Sequence, residues 1–286
     1  MLTKAAYFLM KGLLTGIRLS TCEPASAIAD ALSQRVSTGQ RILCNVGCGV
    51  RHHPAWINID FHSVGETVLQ WDLRQGLPLP DETCDAIYSS HAIEHFDRAG
   101  ARGFLRECHR ALKPGGILRL VAPDLEGIAR AYLECVAAAQ RGEQGADARY
   151  EWIVIELLDQ LVRHQSGGEM LKLWCRPQVP AEDFIAQRVG LEYWRAREHC
   201  KNRIVAQTSS TDAMTVGTFR LGGEVHQWMY DRYSLGQLVT QSGFVQVRHC
   251  SADSSFIKGF AGYNLDTEPD GTVYKPDSFF LEAQKP

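Results

Sequence analysis

Short apolar runs, separated by loops or by stretches with helical spacing, make up the first half of the chain and its C-terminal end. The runs of strand length are 41–46, 56–59, 67–70, 84–89, 117–122, 244–249 and 278–283. Apolar residues at helical spacing predict helices over 24–37, 98–112 and 233–242. Strands that alternate with helices or crossover loops predict an α/β fold, a doubly wound and mostly parallel sheet with both faces covered.

The pattern changes in the middle of the chain. Between 125 and 230 apolar residues recur at helical spacing, most clearly in 125–138 and 150–163. This predicts a largely helical insertion after the fifth strand. The residues before it, 40–124, would then form the core, and 231–286 would complete the core sheet.

The N-terminal residues 1–20 have the pattern of a short basic amphipathic helix, within a predicted N-terminal helical segment at 1–39. Lys4, Lys11 and Arg18 recur every seven residues, and the apolar residues of this segment fall on another face. We expect the helix to pack against the rest of the chain. A peripheral contact of residues 1–20 with a membrane surface is the alternative.

Composition limits the class of protein. A formal net charge of −3 with 45% hydrophobic residues is typical of a globular chain, and it does not favour nucleic-acid binding. The nine cysteines are odd in number and scattered, so we predict reduced thiols, with neither a disulfide framework nor a zinc ribbon. No window approaches the ~18 apolar residues of a membrane-spanning helix. We therefore expect a cytoplasmic protein.

Small or polar residues follow each predicted strand, at the edge where open parallel sheets bind ligands. They are Gly47-Cys48-Gly49, Asp60, Asp72, Ser89-Ser90-His91 and Asp124, after the first to the fifth strand. Glycines let the backbone approach a ligand closely. An acid after the second strand can accept hydrogen bonds from both ribose hydroxyls, and Asp72 could accept one from an adenine amino group. Together they predict a pocket shaped for a nucleoside.

These positions also carry the motifs of a known family. The motifs are Asn45-Val46-Gly47-Cys48-Gly49, Ile59-Asp60, the run from Leu79 to Phe96, and Leu112-Lys113-Pro114-Gly115-Gly116. They resemble the class I S-adenosylmethionine-dependent methyltransferases, which have a Rossmann-like core, and most of all the small-molecule group called methyltransferase type 11. The resemblance implies S-adenosyl-L-methionine as cofactor. The cofactor-binding residues that we predict are Asn45, Gly47, Cys48, Gly49, Asp60, Asp72, Ser89 and Ser90.

The connection between the first two strands departs from the family pattern. Ten residues separate Gly49 from Asp60, which is too few for a crossover helix. We expect a tight loop there, with Arg51 or the N–H groups of the loop in place of the missing helix N-terminus. The third glycine of a dinucleotide-binding motif is also absent, since position 52 is His. This disfavours a nucleotide-sugar or NAD-dependent enzyme, which stays an alternative function.

A rival interpretation concerns His91-Ala92-Ile93-Glu94-His95, which matches the H-x-x-E-H signature of zinc peptidases. The motif follows a strand and lies inside the methyltransferase pattern, so we predict no metal site. We expect His91 to contact the cofactor or the acceptor, His95 to be structural, and Glu94 to be a solvated or capping carboxylate.

For catalysis, methyl transfer needs an acceptor held in line, and a general base helps if the acceptor is a hydroxyl. The predicted candidates for that base are His91, His226 and Asp124. The segment around 226–231 resembles a subgroup that accompanies glycan biosynthesis, so the expected acceptor is a small molecule, with a saccharide or glycan precursor as one possibility.

The insertion is expected to act as a lid that excludes water and chooses the acceptor. We expect its tryptophans to pack in a core and Arg163 to form an ion pair on a helix face. An inactive cofactor-binding module is a further alternative, and the sequence leaves the oligomeric state open.

Overall fold

A computed structural model describes residues 24–62, 67–201 and 212–286 of the chain. The predicted helix at 1–20 lies outside the described residues. These residues divide into two compact units. One, here called the sheet unit, contains the described residues up to 123 together with 230–273 and 278–286. The other, the helical unit, contains the described residues of 124–229 together with 274–277.

The described part of the sheet unit forms a seven-stranded sheet in the order β3-β2-β1-β4-β5-β7-β6. The strands are β1 (Leu43–Val46), β2 (Ile57–Asp60), β3 (Val68–Gln70), β4 (Cys84–Ser90), β5 (Leu112–Pro123), β6 (Val245–Cys250) and β7 (Ser278–Gln284). β1 to β5 pair in parallel, and β7 runs antiparallel between β5 and β6. The predicted α/β class and mostly parallel sheet are confirmed.

The helices described are α1 (Pro24–Ser37), α2 (Arg98–Ala111), α3 (Leu125–Gln140), α4 (Ala146–Val162), α5 (Gly168–Trp174), α6 (Glu182–Val189), α7 (Leu191–Lys201), α8 (Ala213–Leu221) and α9 (Arg232–Gln241). Residues of α1, α2 and α9 pack on one face of the sheet, in a core that includes Ile28, Leu105 and Leu235. The caps follow from sequence. Asp97 accepts from the Gly100 N–H at the start of α2, and Asp231 forms a capping box with Ser234 at the start of α9.

The opposite face of the sheet is covered without a long helix. On this face, side chains on the sheet side pack against the connection between β6 and β7. The sheet side contributes Trp56, Tyr88 and Phe280, and the connection contributes Phe260 and Leu265. The described residues 50–56, between β1 and β2, contain no helix. The predicted tight loop at this place is confirmed, and a distant stretch of chain takes over the covering of the sheet.

The start of β5 differs from the prediction. We expected Lys113-Pro114-Gly115-Gly116 to separate the helix from a strand that begins at 117, but the strand begins at Leu112, directly after α2. The register shifts opposite the start of β4, and Gly115 adopts a φ of +78°. The Gly115 N–H donates to the Lys285 carbonyl at 2.9 Å. As expected, Pro and Gly end the helix. The chain continues there as an irregular strand because the backbone of Lys285 is close enough to pair with it.

The helical unit contains α3 to α8. The fully buried Trp152 and the buried Trp174 stack with ring centroids 5.8 Å apart, and Tyr193 packs edge-on against Trp174. The expected core role of the tryptophans holds for these two. Trp194 and Trp228 are instead 49% and 41% exposed. Arg163, at the end of α4, is buried and pairs with Asp159 and Glu224, which confirms an ion pair.

One cysteine expectation is wrong. A disulfide joins Cys175, which follows α5, to Cys200 in α7. The two positions are 25 residues apart in sequence, and the packing of α5 beside α7 brings their Cα atoms to 5.2 Å. Such a separation carries no local signal, so the pairing could not be foreseen from spacing. Among the helices of the described residues, none has the length and apolar character needed to cross a membrane.

Candidate functional site

The glycine loop that follows β1 is folded tightly against β2. The N–H groups of Gly47 and Cys48 both donate to the carbonyl of Ile59, at 2.8 and 3.2 Å. Gly47 has a φ of +72° and Gly49 one of +51°, values that glycine adopts without strain. A Cβ added at Gly47 would lie 2.7 Å from Cβ of Ala92. Gly47 is therefore required both by its backbone angle and by its neighbour.

Asp60, at the end of β2, meets this loop through its side chain. Oδ2 of Asp60 accepts from the Gly49 N–H at 2.7 Å, and Oδ1 accepts from the His62 N–H at 3.1 Å. The carbonyl of Asp60 accepts from the Trp71 N–H at 2.8 Å. Two backbone donors thus fix the orientation of a half-buried carboxylate, which as an anion has capacity for further hydrogen bonds. The glycine loop and Asp60 come together as the sequence predicts.

Two buried polar atoms near the glycine loop provide a test of whether a polar ligand fits there. Asn45 is fully buried, and its Nδ2 donates to the Arg51 carbonyl and to Oδ1 of Asn58. Oδ1 of Asn45 and Oγ of the buried Ser89 have no hydrogen-bond partner among the described residues. Oγ of Ser89 lies 4.0 Å from the place of a Cβ at Gly47. Buried polar atoms of this kind are costly unless a ligand satisfies them, so these residues fit a cofactor with polar groups.

Asp72 is engaged locally. Its carboxylate caps the short 3₁₀ helix Leu73–Gln75 and accepts from the backbone N–H and from Nε and Nη2 of Arg74. The hydrogen bond from the Arg74 side chain lowers the pKa of the Asp72 carboxyl below its usual value. The predicted contact of Asp72 with an adenine amino group stays a prediction, because Arg74 already occupies much of this carboxylate.

Phe61 is a further candidate that the sequence analysis missed. It follows Asp60 directly, its side chain is 38% exposed, and the Arg74 guanidinium lies 5.3 Å from its ring centroid. An exposed aromatic ring next to Asp60, the acid predicted to bind ribose hydroxyls, can stack on a planar base. Its position next to Asp60 was the available signal. Ser90 and Cys48 complete the predicted set, the first half-buried at the end of β4 and the second buried in the glycine loop.

His91 sits at the end of β4 in the left-handed region, with a φ of +51°. Its Nε2 is 2.7 Å from Oγ of Ser278, and its Nδ1 is 3.3 Å from Oε1 of Glu94. Glu94 is fully buried, so the expectation of a solvated or capping carboxylate is wrong. Burial, together with the Glu94 carboxylate, raises the pKa of Tyr230 to about 12. A carboxylate can only accept, so we assign the imidazole proton to Nδ1, which leaves Nε2 to accept from Ser278.

The H-x-x-E-H motif does not have zinc-peptidase geometry. That signature requires two histidines one turn apart on a single α-helix. Here His91 directly follows the strand β4, while His95 belongs to the single 3₁₀ turn Ile93–His95 and is half-buried.

The other two predicted bases belong to the helical unit. Asp124 precedes α3, where its carbonyl accepts from the Ile128 N–H and its N–H donates to the Asp277 carbonyl at 2.9 Å. His226 is buried, and its N–H donates to the Gln160 carbonyl of α4 at 2.9 Å. The structure thus groups His91 with the glycine loop in the sheet unit, whereas Asp124 and His226 are part of the helical unit.

A comparison with known protein families finds a match in the strand region of the sheet unit. Residues 45–120, from β1 into β5, match the model of the methyltransferase type 11 family, which is described as "Methyltransferase domain". No curated protein sequence matches the chain significantly.

Solved structures give weak likenesses. One is a SAM-dependent methyltransferase from Archaeoglobus fulgidus, with 13% identity and a TM-score of 0.38 over 98% of this chain and 99% of that chain. Another is a SAM-dependent methyltransferase of Thermotoga maritima, described as a possible histamine N-methyltransferase, with 12% identity and a TM-score of 0.36 over 92% and 91% of the two chains. These scores are too low to support an inference about this chain.

Proposed function

We propose that this chain, which carries a class I S-adenosylmethionine-dependent methyltransferase domain at residues 45–120, transfers a methyl group to a hydroxyl of a small molecule, with a saccharide or glycan precursor as the acceptor class. The observation that carries the proposal is the meeting of the glycine loop with Asp60, beside the buried atoms Asn45 Oδ1 and Ser89 Oγ. Polar atoms in this arrangement suit an adenosyl group with an amino-acid tail.

When bound, S-adenosylmethionine would supply a methyl group on a sulfonium sulfur, which a nucleophile attacks in line while the methyl–sulfur bond breaks and S-adenosylhomocysteine leaves. In our assignment Asp60 accepts hydrogen bonds from ribose hydroxyls, since each carboxylate oxygen can accept more than one hydrogen bond. Phe61 stacks on the base, and Ser89 Oγ and Asn45 Oδ1 bind polar groups near Gly47. The rigid glycine loop keeps these groups in fixed relation, which is the main contribution that a protein can make to such a displacement.

His91 is our choice for the general base. With its proton on Nδ1, directed at Glu94, its Nε2 is free of a proton and can take one from a hydroxyl. In this tautomer Nε2 accepts from Oγ of Ser278, which lies 2.7 Å away, at the position where a hydroxyl donor would be bound. Glu94 fixes the orientation of the ring and stabilises the positive charge that forms on it when the proton arrives. His226 and Asp124 remain alternative bases.

Acceptor recognition is assigned to the helical unit on account of its own residues. Trp194 and Trp228 each expose more than two fifths of their surface. Indole rings stack on the apolar faces of sugars and on other planar groups. His226 precedes Trp228 by two positions, so a polar group and an aromatic ring are close in sequence there.

The experiment is a transfer assay with S-adenosylmethionine labelled on its methyl group and with saccharide and glycan-precursor fractions as acceptors. We expect label in a saccharide fraction, and a loss of about 100-fold or more for His91→Gln with unchanged affinity for S-adenosylhomocysteine. Trp228→Ala should raise KM for the acceptor. A wild-type protein that binds S-adenosylhomocysteine but labels no saccharide or glycan-precursor fraction would overturn the proposed acceptor class, and the absence of label from a whole cell extract as well would indicate an inactive binding module.

A further inference from the structure

The stretch of chain between β6 and β7 covers the sheet face that lacks a crossover helix. Residues 251–268, here called the covering segment, contribute Ala252, Ile257, Phe260 and Leu265 to a buried cluster on this face. The opposing side chains come from the sheet and from the β1–β2 connection, and include Trp56, Tyr88, Val121 and Phe280. The covering segment therefore occupies the place that a helix after the glycine loop would otherwise fill.

A fully buried arginine of β5 holds this segment in position. The Arg119 guanidinium donates to the carbonyls of Ser251 and Ser254, at 2.9 and 2.8 Å, and to Oε1 of Glu282 at 2.9 Å. Its Nε donates to Oδ2 of Asp266 at 2.8 Å. Burial alone would lower the pKa of Arg119, but Asp266 and Glu282 raise it above its usual value. Arg119 is thus a charged anchor that reaches both ends of the covering segment.

Asp266 connects Arg119 to the part of the covering segment that binds a second arginine, Arg51. It accepts from Oη of Tyr88 at 2.5 Å as well as from Arg119, so its place in the chain is fixed. The residues on either side of it present their carbonyls to Arg51. Nη2 of Arg51 donates to the carbonyls of Asn264 and Thr267, each at 2.7 Å.

Two further contacts complete the binding of Arg51. Its Nη1 pairs with Oε1 of Glu268 at 3.0 Å, and its Nε donates to the Leu265 carbonyl at 3.4 Å. The guanidinium is therefore held by three carbonyls and one carboxylate of the covering segment.

The backbone of Arg51 belongs to the glycine loop. Its N–H donates to the Cys48 carbonyl at 3.0 Å, and its carbonyl accepts from Nδ2 of Asn45 at 2.9 Å. Arg51 therefore joins the loop, through its main chain, to the covering segment, through its side chain. A planar fork of donors suits several fixed carbonyls at once, which a lysine could not match.

We propose that Arg51 is a positioning residue for the cofactor: the covering segment, anchored by Arg119 and Asp266, holds the glycine loop through the Arg51 guanidinium and so replaces the crossover helix that the fold lacks. The inference rests on the proposed assignment of the glycine loop to cofactor binding. Arg51 acts through the backbone of residues 47–51, and it does not itself have to touch the ligand.

The test compares three variants in the full-length protein. Arg51→Ala removes the link, and Arg51→Lys keeps the charge but loses the fork. Arg41→Ala is the matched control, because exposed Arg41 also donates to a carbonyl of the covering segment, that of Lys258 at 2.6 Å, but lies before β1. Two quantities are measured: affinity for S-adenosylhomocysteine by calorimetry, and hydrogen exchange of the backbone amides of residues 47–51 without cofactor.

We expect Arg51→Ala to lower the affinity for S-adenosylhomocysteine by at least about tenfold and to speed hydrogen exchange of the amides of residues 47–51. Arg51→Lys should lose less affinity, and Arg41→Ala should lose none. The proposal is overturned if Arg51→Ala leaves both quantities at their wild-type values, if Arg51→Lys is indistinguishable from wild type, or if Arg41→Ala has the same effect as Arg51→Ala. Should Arg51→Ala fail to fold, Arg51→Lys decides.

The failure of the proposed function would look different. If the wild-type protein bound no S-adenosylhomocysteine, the assignment of the glycine loop to the cofactor would fail. Exchange at residues 47–51 would then decide alone whether Arg51 positions the loop: faster exchange in Arg51→Ala than in Arg41→Ala supports the positioning role, and equal exchange overturns it.

Discussion

The N–H of Gly49 donates to Oδ2 of Asp60 at 2.7 Å, a contact that ties the turn after β1 to the end of β2. The turn cannot move without disturbing the acid, and the acid cannot rotate without releasing the turn. This mutual constraint matters because the loop lacks a helix behind it. The hydrogen bond to the carboxylate restrains the turn in a connection that contains no helix.

Ser89 offers a test of the site that separates stability from binding. Its Oγ is buried without a partner among the described residues, so Ser89→Ala should leave the free energy of unfolding of the cofactor-free protein unchanged or slightly higher. The same variant should weaken the binding of S-adenosylhomocysteine by about 1 kcal/mol, or about fivefold in affinity, because one hydrogen bond to the ligand is lost. Chemical unfolding and calorimetry measure the two effects.

The matched control for Ser89 is Ser242→Ala. The Ser242 hydroxyl donates to the Leu238 carbonyl at 2.8 Å at the end of α9. Its removal should leave the affinity for S-adenosylhomocysteine unchanged. A Ser89→Ala protein that binds S-adenosylhomocysteine as tightly as wild type would remove Ser89 from the site.

The tautomer of His91 is a second prediction. Because Oε1 of the Glu94 carboxylate lies 3.3 Å from Nδ1 and can only accept, the neutral imidazole should carry its proton on Nδ1, with Nε2 as the acceptor. Nitrogen chemical shifts of labelled histidine distinguish the two tautomers, and His91→Gln assigns the signal. Glu94→Gln should weaken the preference for the Nδ1–H tautomer over the Nε2–H tautomer, whereas Ser278→Ala should keep the proton on Nδ1. A wild-type signal from the Nε2–H form would contradict the proposed role of His91 as base.

Asp277 predicts a pH dependence of stability within the helical unit. Burial raises its pKa to about 6, although Lys275 works in the opposite direction. A carboxyl whose pKa is higher in the folded than in the unfolded protein stabilises the fold at low pH. That contribution is complete below the ordinary value of about 4, and it is lost as pH rises through about 6.

The measurement for Asp277 is the free energy of unfolding of wild type and Asp277→Asn at pH 5 and pH 7. The amide imitates the protonated carboxyl, so the variant should gain about 1 kcal/mol relative to wild type on going from pH 5 to pH 7. A difference between the two proteins that is the same at both pH values would show that Asp277 has an ordinary pKa.

The strands could be predicted because they are short and mostly apolar runs, and in the parallel part of the sheet the residues of β1 and β2 are almost all buried. Apart from β5, their observed bounds differ from the predicted ones by two residues or fewer. The glycine loop and Asp60 were also predictable, since parallel strands bring their carboxyl ends to one edge. Both inferences need information from a few neighbouring residues alone.

Two of the features that escaped prediction, the burial of Arg119 and the disulfide, depend on distant parts of the chain. Arg119 is a charged residue of β5 whose burial requires the covering segment to return to it from the far end of the sequence. Glu94 was expected to be a solvated or capping carboxylate, but it is fully buried beside His91. The Cys175–Cys200 pair needs the packing of two helices. Pairing partners that are far apart in sequence leave no local pattern.

The proposed cofactor site requires that Asp60 and the glycine loop together bind S-adenosylhomocysteine. Titration calorimetry of wild type, Asp60→Asn and the control Asp81→Asn measures this binding; Asp81 is an exposed aspartate that pairs with Arg110. We predict that wild type and Asp81→Asn bind S-adenosylhomocysteine, that NAD does not bind, and that Asp60→Asn binds at least about tenfold more weakly. Wild-type affinity in the Asp60→Asn protein would contradict the account.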